Sequence, residues 1–500
     1  MPADTVVIGA GLAGLTAAIR LAQQGQKVTL LTKGLGGLPL SQGTVDVLGY
    51  APERVARPFE AAATLAEADP GHPYALIGPD RAKAAVQFLQ GLVPELLTGD
   101  LEANAVFPTA VGALRPTCLH PPSMAAGDLA AGGSATFAVA GPRQLKDFYP
   151  ELCADNLARS TTPDGRPISA HGYRFDLPAR PGEADSSGLA YARSLDSPDY
   201  RARFAAAVRA VILDEPVVGL PAVLGLRDPD AWRDVQAQIG RPVFEIALIP
   251  PSVPGLRLND ALTDIARQAG VRFVVGSKVT GFTADGGRVT SVTLHQAGHD
   301  QPWPAADFVY APGGWESGAI RLDSHGHVTE TLFGLPLRGA DVADANADLL
   351  NGDFWHDQEL FKIGVPVDAT MRPVGADGPV YANLYAAGSV LAGATRWTEK
   401  SGEGIALGSA WVAAEEILAS WPQRSAPADQ PTEPGKPTEA DQATEPDEPT
   451  EPDQETEPDQ PTEPDQETEP DQETEPDQPT EPDQPTEPDE PADDTPGPRS

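Results

Sequence analysis

Residues 5–14, TVVIGAGLAG, constrain this chain more than any other stretch. Thr5, Val6, Val7 and Ile8 read as a short buried strand, and Gly9, Gly11 and Gly14 follow it at once. Leu12, Leu15, Ile19 and Ala22 then recur at helical spacing with Leu21 beside them, and Gly25 sits where that helix should stop. Residues 28–31 supply a second strand. Such a β-α-β unit turns backbone N–H groups and the positive end of a helix toward a phosphate. Gly9 allows the tight turn, Gly11 lets the backbone approach the phosphate, and Gly14 lets the helix pack on the strand. Glycine turns also arise by chance, but the strand before this one and the helix after it give it the required context.

One part of the pattern is missing. Roughly 20 residues after such glycines an Asp or Glu usually holds the adenosine ribose. Here the second strand, within KVTLLTKG, closes on Thr32 and Lys33.

Composition separates a body from a tail. Residues 424–500 hold 27 acids and 3 bases, so the other 423 residues, with 46 acids and 32 bases, carry only −14 of the net charge of −38. A six-residue unit of the type TEPDQE or TEPDQP recurs in the tail from Thr444 to Thr486, and apart from Pro no apolar side chain larger than Ala follows Trp421. Such a segment cannot form a core, so a disordered, extended acidic C-terminal tail is expected. It reads first as a neutral repeat expansion and second as a solubilising or partner-binding arm. Cys118 and Cys153 are too few for a disulfide framework, an iron–sulfur cluster or a structural zinc site, which suits a reducing compartment. The first strand starts almost at once with no basic segment or cleavage signal, and no stretch approaches the ~18 apolar residues of a membrane span. The expected location is cytoplasmic, or peripheral at the inner face of the cell membrane through a partner. An acidic body argues against nucleic acid as a partner.

Three later segments belong with the glycine turn. Residues 255–295 pass from a helical pattern (Leu258, Leu262, Ile265, Ala269) through Gly270 into two or three strands joined at Gly286 and Gly287. FVYAPGG, residues 308–314, is an apolar strand ending in paired glycines; NLYAAGS, residues 383–389, repeats that design, and residues 403–419 form the last helix. Strands ending in Gly along one sheet edge place backbone amides against a ligand. The expected fold class is α/β. A Rossmann-like FAD/NAD(P)-binding core would comprise residues 1–50, 240–320 and 378–423, with an inserted second (capping or substrate) domain from 51–239 and 321–377. That second part is rich in Ala, Pro and Gly and shows only short periodic segments, Arg81 to Leu92 and Ala202 to Leu213.

The combination VVIGAGLAGL, SQGTVDVLGY, LIPPSVPGLRLNDAL, YAPGGWESG and NLYAAGSVLAGATRW resembles the B-subunit family of anaerobic glycerol-3-phosphate dehydrogenase, over residues 1–420. The resemblance implies an FMN-containing flavoprotein, related in type to the succinate dehydrogenase and fumarate reductase flavoproteins. It implies partners too: an FAD-bearing catalytic subunit and a membrane-associated iron–sulfur subunit. The implied reaction oxidises sn-glycerol 3-phosphate to dihydroxyacetone phosphate and passes electrons to quinone. FMN has no adenosine and needs no ribose carboxylate, so Thr32 and Lys33 cease to be anomalous. Thr32 can equally hydrogen-bond an FAD ribose, Lys33 can meet the 2′-phosphate of NADP, and Lys33 can simply be a solvated loop cation.

Dehydrogenation of a secondary alcohol by a flavin needs a base, a hydride path to the flavin, and cations for the substrate phosphate. Arg257 in PPSVPGLRL, and Arg396 and Lys400 in ATRWTEKSGEG, are the catalytic candidates, and each reads equally well as a surface ion-pair residue. Cofactor contacts are expected from Gly9, Gly11, Gly14, Thr32, Lys33, Ser41, Gly43, Gly313, Gly388, Ser389, Gly402 and Gly404. No metal site is expected, because the single HxH pair, His325 and His327 near Asp323, reads as an exposed turn. His72, His171 and His356 are candidate bases by residue type alone. Two functional classes stay open: a subunit that itself oxidises glycerol 3-phosphate, and a flavin-bearing electron-transfer subunit whose partner does so. A stand-alone fumarate-reductase-like flavoenzyme is a third.

Overall fold

Strand β1 (Ala3–Ile8), helix α1 (Leu12–Gln23) and strand β2 (Val28–Thr32) form the expected β-α-β unit. They belong to a computed structural model that describes residues 3–425, apart from 131, 277, 297, 343–349 and 357. The acidic tail expected at 424–500 lies outside these residues, except for Arg424 and Ser425.

β1 runs parallel to β2, with Val7 opposite Leu30, and on its other side parallel to the end of strand His299–Tyr310, with Val7 opposite Val309. Arg272–Val275 pairs in parallel with β2, and Leu384–Ala386 with His299–Tyr310. Val6, Val7, Leu30 and Leu31 are all buried, so the sequence shows continuous apolar runs and no alternation. Gly9, at φ +110°, ends β1 where a Cβ would lie 2.1 Å from the Ala311 carbonyl oxygen. At Gly14 a Cβ would lie 2.0 Å from the Gly9 carbonyl oxygen, so α1 closes on the turn only because Gly14 lacks a side chain.

Strand His299–Tyr310 has two halves. The first pairs antiparallel with Arg288–Gln296, which pairs in turn with Lys278–Asp285 through the hairpin turn at Gly286 and Gly287, both at positive φ. The second half carries the buried Phe308, Val309 and Tyr310 into the parallel sheet. Asn383 joins the two regions: its amide donates to the carbonyls of Val289 (2.8 Å) and Ala306 (2.7 Å) and accepts the Val289 N–H (2.9 Å).

A second sheet has four parallel strands, in the order Ser169–Phe175, Thr136–Pro142, Val217–Pro221 and Val243–Ile246. Helices Pro150–Leu157, Pro198–Val211 and Ala231–Ile239 pack against it, and Phe137, Phe204 and Phe244 are buried in a core of its own. Helices Pro58–Ala68, Pro73–Ile77 and Pro79–Leu92 fall in the segment expected to open the second domain, yet they contribute to the first core. Gly408 of the last helix, Gly402–Ser425, packs so closely on them that a Cβ would lie 2.7 Å from Ile77 Cγ2. Phe333, Val365 and Met371 join the same core, whereas Val243–Ile246, from a segment read as core, edges the second sheet. The apolar face of one element does not say which of two cores it will fill. Among the described residues, no helix is long and apolar enough to cross a membrane.

Candidate active site

The carboxyl ends of β1, β2, His299–Tyr310 and Leu384–Ala386 open on one cleft of about 1310 Å³. That exceeds the ~300–1,000 Å³ usual for one drug-sized ligand and leaves room for a dinucleotide with a substrate. Gly11 caps α1, and a Cβ there would find only the Gly37 nitrogen, at 4.0 Å; the space before it is the cleft. Gly36 packs on the same turn, where a Cβ would come within 2.4 Å of the Ala10 carbonyl oxygen. Beyond β2, Thr32 Oγ1 donates to the Gly34 carbonyl (2.6 Å) and accepts its N–H (3.3 Å), folding the loop back on itself. Lys33 is exposed on the wall, which continues to Lys278 and Val279.

A second part of the wall gathers ions from separate segments. Arg115, on strand Leu114–Thr117, pairs with the buried Asp46. Burial works against the Arg115 charge, but Asp46 and Glu403 outweigh it and hold the guanidinium above its ordinary value. Glu403, in the first turn of Gly402–Ser425, opens on the cleft yet sits deep among protein atoms. Burial, and then the like charge of Asp46, push its carboxyl up to about 7 against the pull of Arg115. Lys400 precedes this helix in a left-handed conformation (φ 52°), and burial followed by Arg115 repulsion lowers its amine. Arg396 Nη1 donates to the Ser389 carbonyl at 2.8 Å, while Nη2 lies 3.8 Å from Glu316. Burial lowers Arg396, and Glu316 and Glu399 offset part of that. Four aromatic residues complete the wall, with ring centroids 4.8 Å apart for Phe354 and Trp397 and 5.1 Å for Trp355 and Tyr50. Arg115 Nε and Trp397 Nε1 are buried without a hydrogen-bond partner among the described residues, which suits a ligand rich in acceptor oxygens.

Of the residues expected from sequence, Gly9, Gly11, Thr32, Lys33, Ser41, Gly313, Gly388, Ser389, Arg396, Lys400 and Gly402 line the cleft. Ser41 shapes its loop, donating to the Leu38 carbonyl (2.9 Å) and accepting the Gly43 N–H (3.2 Å). Gly14, Gly43, Gly404 and Arg257 are not on the wall. Gly43 packs on Pro254, where a Cβ would lie 2.5 Å from Pro254 Cβ, and Gly404 on Tyr74, where it would lie 2.1 Å from the phenol oxygen. Arg257 is a partly buried structural ion and not a cleft cation: it donates twice to Glu245, at 2.8 and 3.1 Å, and to the Gly225 carbonyl at 2.8 Å. His72 accepts the Tyr74 N–H and faces Glu399, His171 pairs with Glu215, and His356 is exposed; none lines the cleft. His325 and His327 sit on an exposed turn whose N–H groups Asp323 accepts.

The FAD binding domain family matches residues 4–405. The chain is 35% identical, over 421 residues, to the probable B subunit of anaerobic glycerol-3-phosphate dehydrogenase from Halobacterium salinarum, covering 82% of this chain and 96% of that protein. This chain belongs to the B-subunit family of anaerobic glycerol-3-phosphate dehydrogenase. A second relative in the same family, from Pectobacterium carotovorum subsp. carotovorum, is 30% identical over 440 residues, covering 83% of this chain and 98% of that protein. Among solved structures, the chain resembles 3-ketosteroid delta1-dehydrogenase from Sterolibacterium denitrificans at 13% identity and a TM-score of 0.40, covering 84% of this chain and 99% of that one. It also resembles the open conformation of a flavocytochrome c3 fumarate reductase at 11% identity and a TM-score of 0.40, covering 83% and 78%. The flavin expectation thus stands in its general form, while the matched domain is described as binding FAD and gives no specific support to FMN.

Proposed function

We propose that this chain binds FAD and oxidises sn-glycerol 3-phosphate to dihydroxyacetone phosphate. In this reading it works in a complex whose FAD-bearing and membrane-associated iron–sulfur subunits carry electrons on to quinone. The observation that carries the proposal is the meeting of Arg115, Arg396 and Lys400 on one cleft wall, in a body whose formal net charge is −14. An acidic protein that binds a phosphate ester has to gather cations locally, and here Arg115 comes from strand Leu114–Thr117 to join Arg396 and Lys400, neighbours in one later segment. The chain's two cysteines are free and buried, too few to ligate an iron–sulfur cluster, and in this reading onward electrons leave through another polypeptide.

FAD is favoured over FMN by the matched domain and by a cleft wall that runs past Gly11 along the loop after β2 to Lys278 and Val279. The open face of Gly11 suits the pyrophosphate, at the N-terminus of α1. FAD bound there would supply the acceptor for the hydride of the alcohol carbon. Arg396 and Lys400 hold the substrate phosphate, Arg115 adds positive charge beside them from its pair with Asp46, and Phe354, Trp355, Trp397 and Tyr50 line the same wall.

The test begins with the cofactor: denaturing the purified chain and weighing what it releases should give FAD, and FMN alone would contradict that part. The assembled complex, given sn-glycerol 3-phosphate and a soluble quinone, should form dihydroxyacetone phosphate and quinol in equal amounts. Failure to form either would remove the reaction from the account.

A further inference from the structure

Glu403 is set up unlike the other acids near the cleft. Asp46 is tied to Arg115 and takes the Thr44 hydroxyl at 3.4 Å. Glu316 is 66% exposed and answers Arg396. Glu399 is off the wall, bound by His72, the Ser401 hydroxyl and the Thr395 N–H. The remaining candidates are committed as well: the Tyr50 hydroxyl donates to the Leu114 carbonyl and that of Tyr310 to Glu330. No histidine among the described residues lines the cleft. Glu403 opens on it, and the amides that favour its charged form are backbone ones, its own and that of Asp46.

Resting on the alcohol oxidation proposed above, we propose that Glu403 accepts the hydroxyl proton of the substrate, with Asp46 and Arg115 as its positioning residues. In this step the substrate O–H bond breaks and the proton passes to the Glu403 carboxylate. The carbinol C–H bond breaks with its electron pair, which a bound flavin would accept as hydride, and the C–O bond becomes C=O. The two electrons that the substrate loses are the two that this flavin would take up. Lys400 and Arg396 keep the phosphate in place throughout.

The surroundings suit this role. Asp46 faces Glu403 from the loop after β2, Arg115 from strand Leu114–Thr117, Lys400 from the turn before the helix, and Tyr74 from helix Pro73–Ile77. Burial and the charge of Asp46 hold the carboxyl near 7, and Arg115 limits the rise. A base with that value is about half ionised at neutral pH, where proton transfer is most effective. Asp46 can hold this position because its backbone carbonyl accepts the Gly404 N–H at 2.9 Å while its carboxylate is occupied by Arg115.

Two readouts test the assignment. Infrared difference spectra of the flavin-loaded chain, without substrate, should show a protonated-carboxyl C=O band that disappears with a midpoint near 7. The band should be missing in Glu403→Gln and titrate at lower pH in Asp46→Asn, where the like charge is gone. In anaerobic stopped flow, reduction of the flavin by glycerol 3-phosphate should speed up in wild type as pH rises through the same midpoint. Glu403→Gln should slow it by roughly 10²–10⁴-fold and lose that pH limb. Its flavin content should stay constant, and its Kd for glycerol 3-phosphate should shift by no more than about threefold. Glu403→Asp should recover part of the rate together with the limb. Wild-type rate and pH profile in Glu403→Gln, or no titrating carboxyl band in wild type, would overturn the role of Glu403. A wild-type chain that glycerol 3-phosphate cannot reduce would overturn the substrate reading itself.

Discussion

Arg257 and Glu245 face each other as a bidentate ion pair, with nitrogen–oxygen distances of 2.8 and 3.1 Å and a carboxylate shut off from solvent. Burial alone would raise Glu245, but the charge and hydrogen bonds of Arg257, with Ser123 and the Leu224 N–H, hold it below the usual carboxylate range. The pair fastens helix Val253–Gln268 to strand Val243–Ile246, and that helix buries Val253 in the second core and Leu258 and Leu262 in the first. It is a joint between the two sheets.

Arg257→Ala leaves the Glu245 charge buried and unpaired, so it should cost roughly 3–5 kcal/mol of stability by urea unfolding. At a temperature where the variant stays folded, flavin content and the KM for glycerol 3-phosphate should match wild type. A loss below about 1 kcal/mol would mean that the pair contributes no more than an exposed one.

Gly11 and Gly14 should fail differently. Gly11→Val directs its side chain into the cleft, so the chain should fold with a nearly unchanged Tm and purify without flavin. Gly14→Val drives a Cβ into the Gly9 carbonyl and should lower the Tm itself. Lys33→Ala, on an exposed loop, should keep most of its flavin. Yellow, folded Gly11→Val protein would count against the site.

What the sequence disclosed and what it hid follow from one distinction. The glycine turn, the strands ending at Tyr310 and Ala386, and the helices beginning at Val253 and Gly402 are local patterns, and each is where its own residues place it. The second sheet was hidden because its inner strands, Thr136–Pro142 and Val217–Pro221, are buried on both faces and interrupted by small residues such as Gly219 and Gly141. Asp46 and Arg115 meet across 69 positions, and no local motif joins them. Glu403 reads as an ordinary acid in the first turn of a helix. Arg257 had a readable partner: Glu245 lies within the otherwise apolar VFEI, and an acid in a buried strand demands a cation. Gly36 was legible too, since the GLGG run after β2 signals close backbone contact.

Replacing a cleft cation should weaken substrate binding and spare the cofactor. Arg396→Ala and Lys400→Ala should each raise the KM of the assembled enzyme for glycerol 3-phosphate by roughly 10- to 100-fold, with unchanged flavin content. An unchanged KM in both variants would move the phosphate site to a partner in the complex.

Stability should also respond to Glu403. Its carboxyl rises on folding from the ordinary 4.5 to about 7, so between those values the folded chain keeps a proton that the unfolded chain gives up. Stability contributed by this group therefore falls as pH rises, by up to about 1.4 kcal/mol per unit, and levels off above 7. Glu245 and Glu399 are depressed and act the other way, contributing stability that is lost only as pH falls below about 4.5. Glu403→Gln should thus gain stability over wild type at about pH 8 and lose that advantage near pH 4.5, as read from urea unfolding at both. An advantage independent of pH would remove the proton from the account.

Whether this chain itself oxidises glycerol 3-phosphate is read from the anaerobic absorbance of the isolated, flavin-loaded chain. Addition of sn-glycerol 3-phosphate should bleach the flavin within the mixing experiment, with one dihydroxyacetone phosphate formed per flavin reduced. A flavin that stays oxidised in the isolated chain, and is reduced only when the partner subunits are added, would contradict oxidation by this chain.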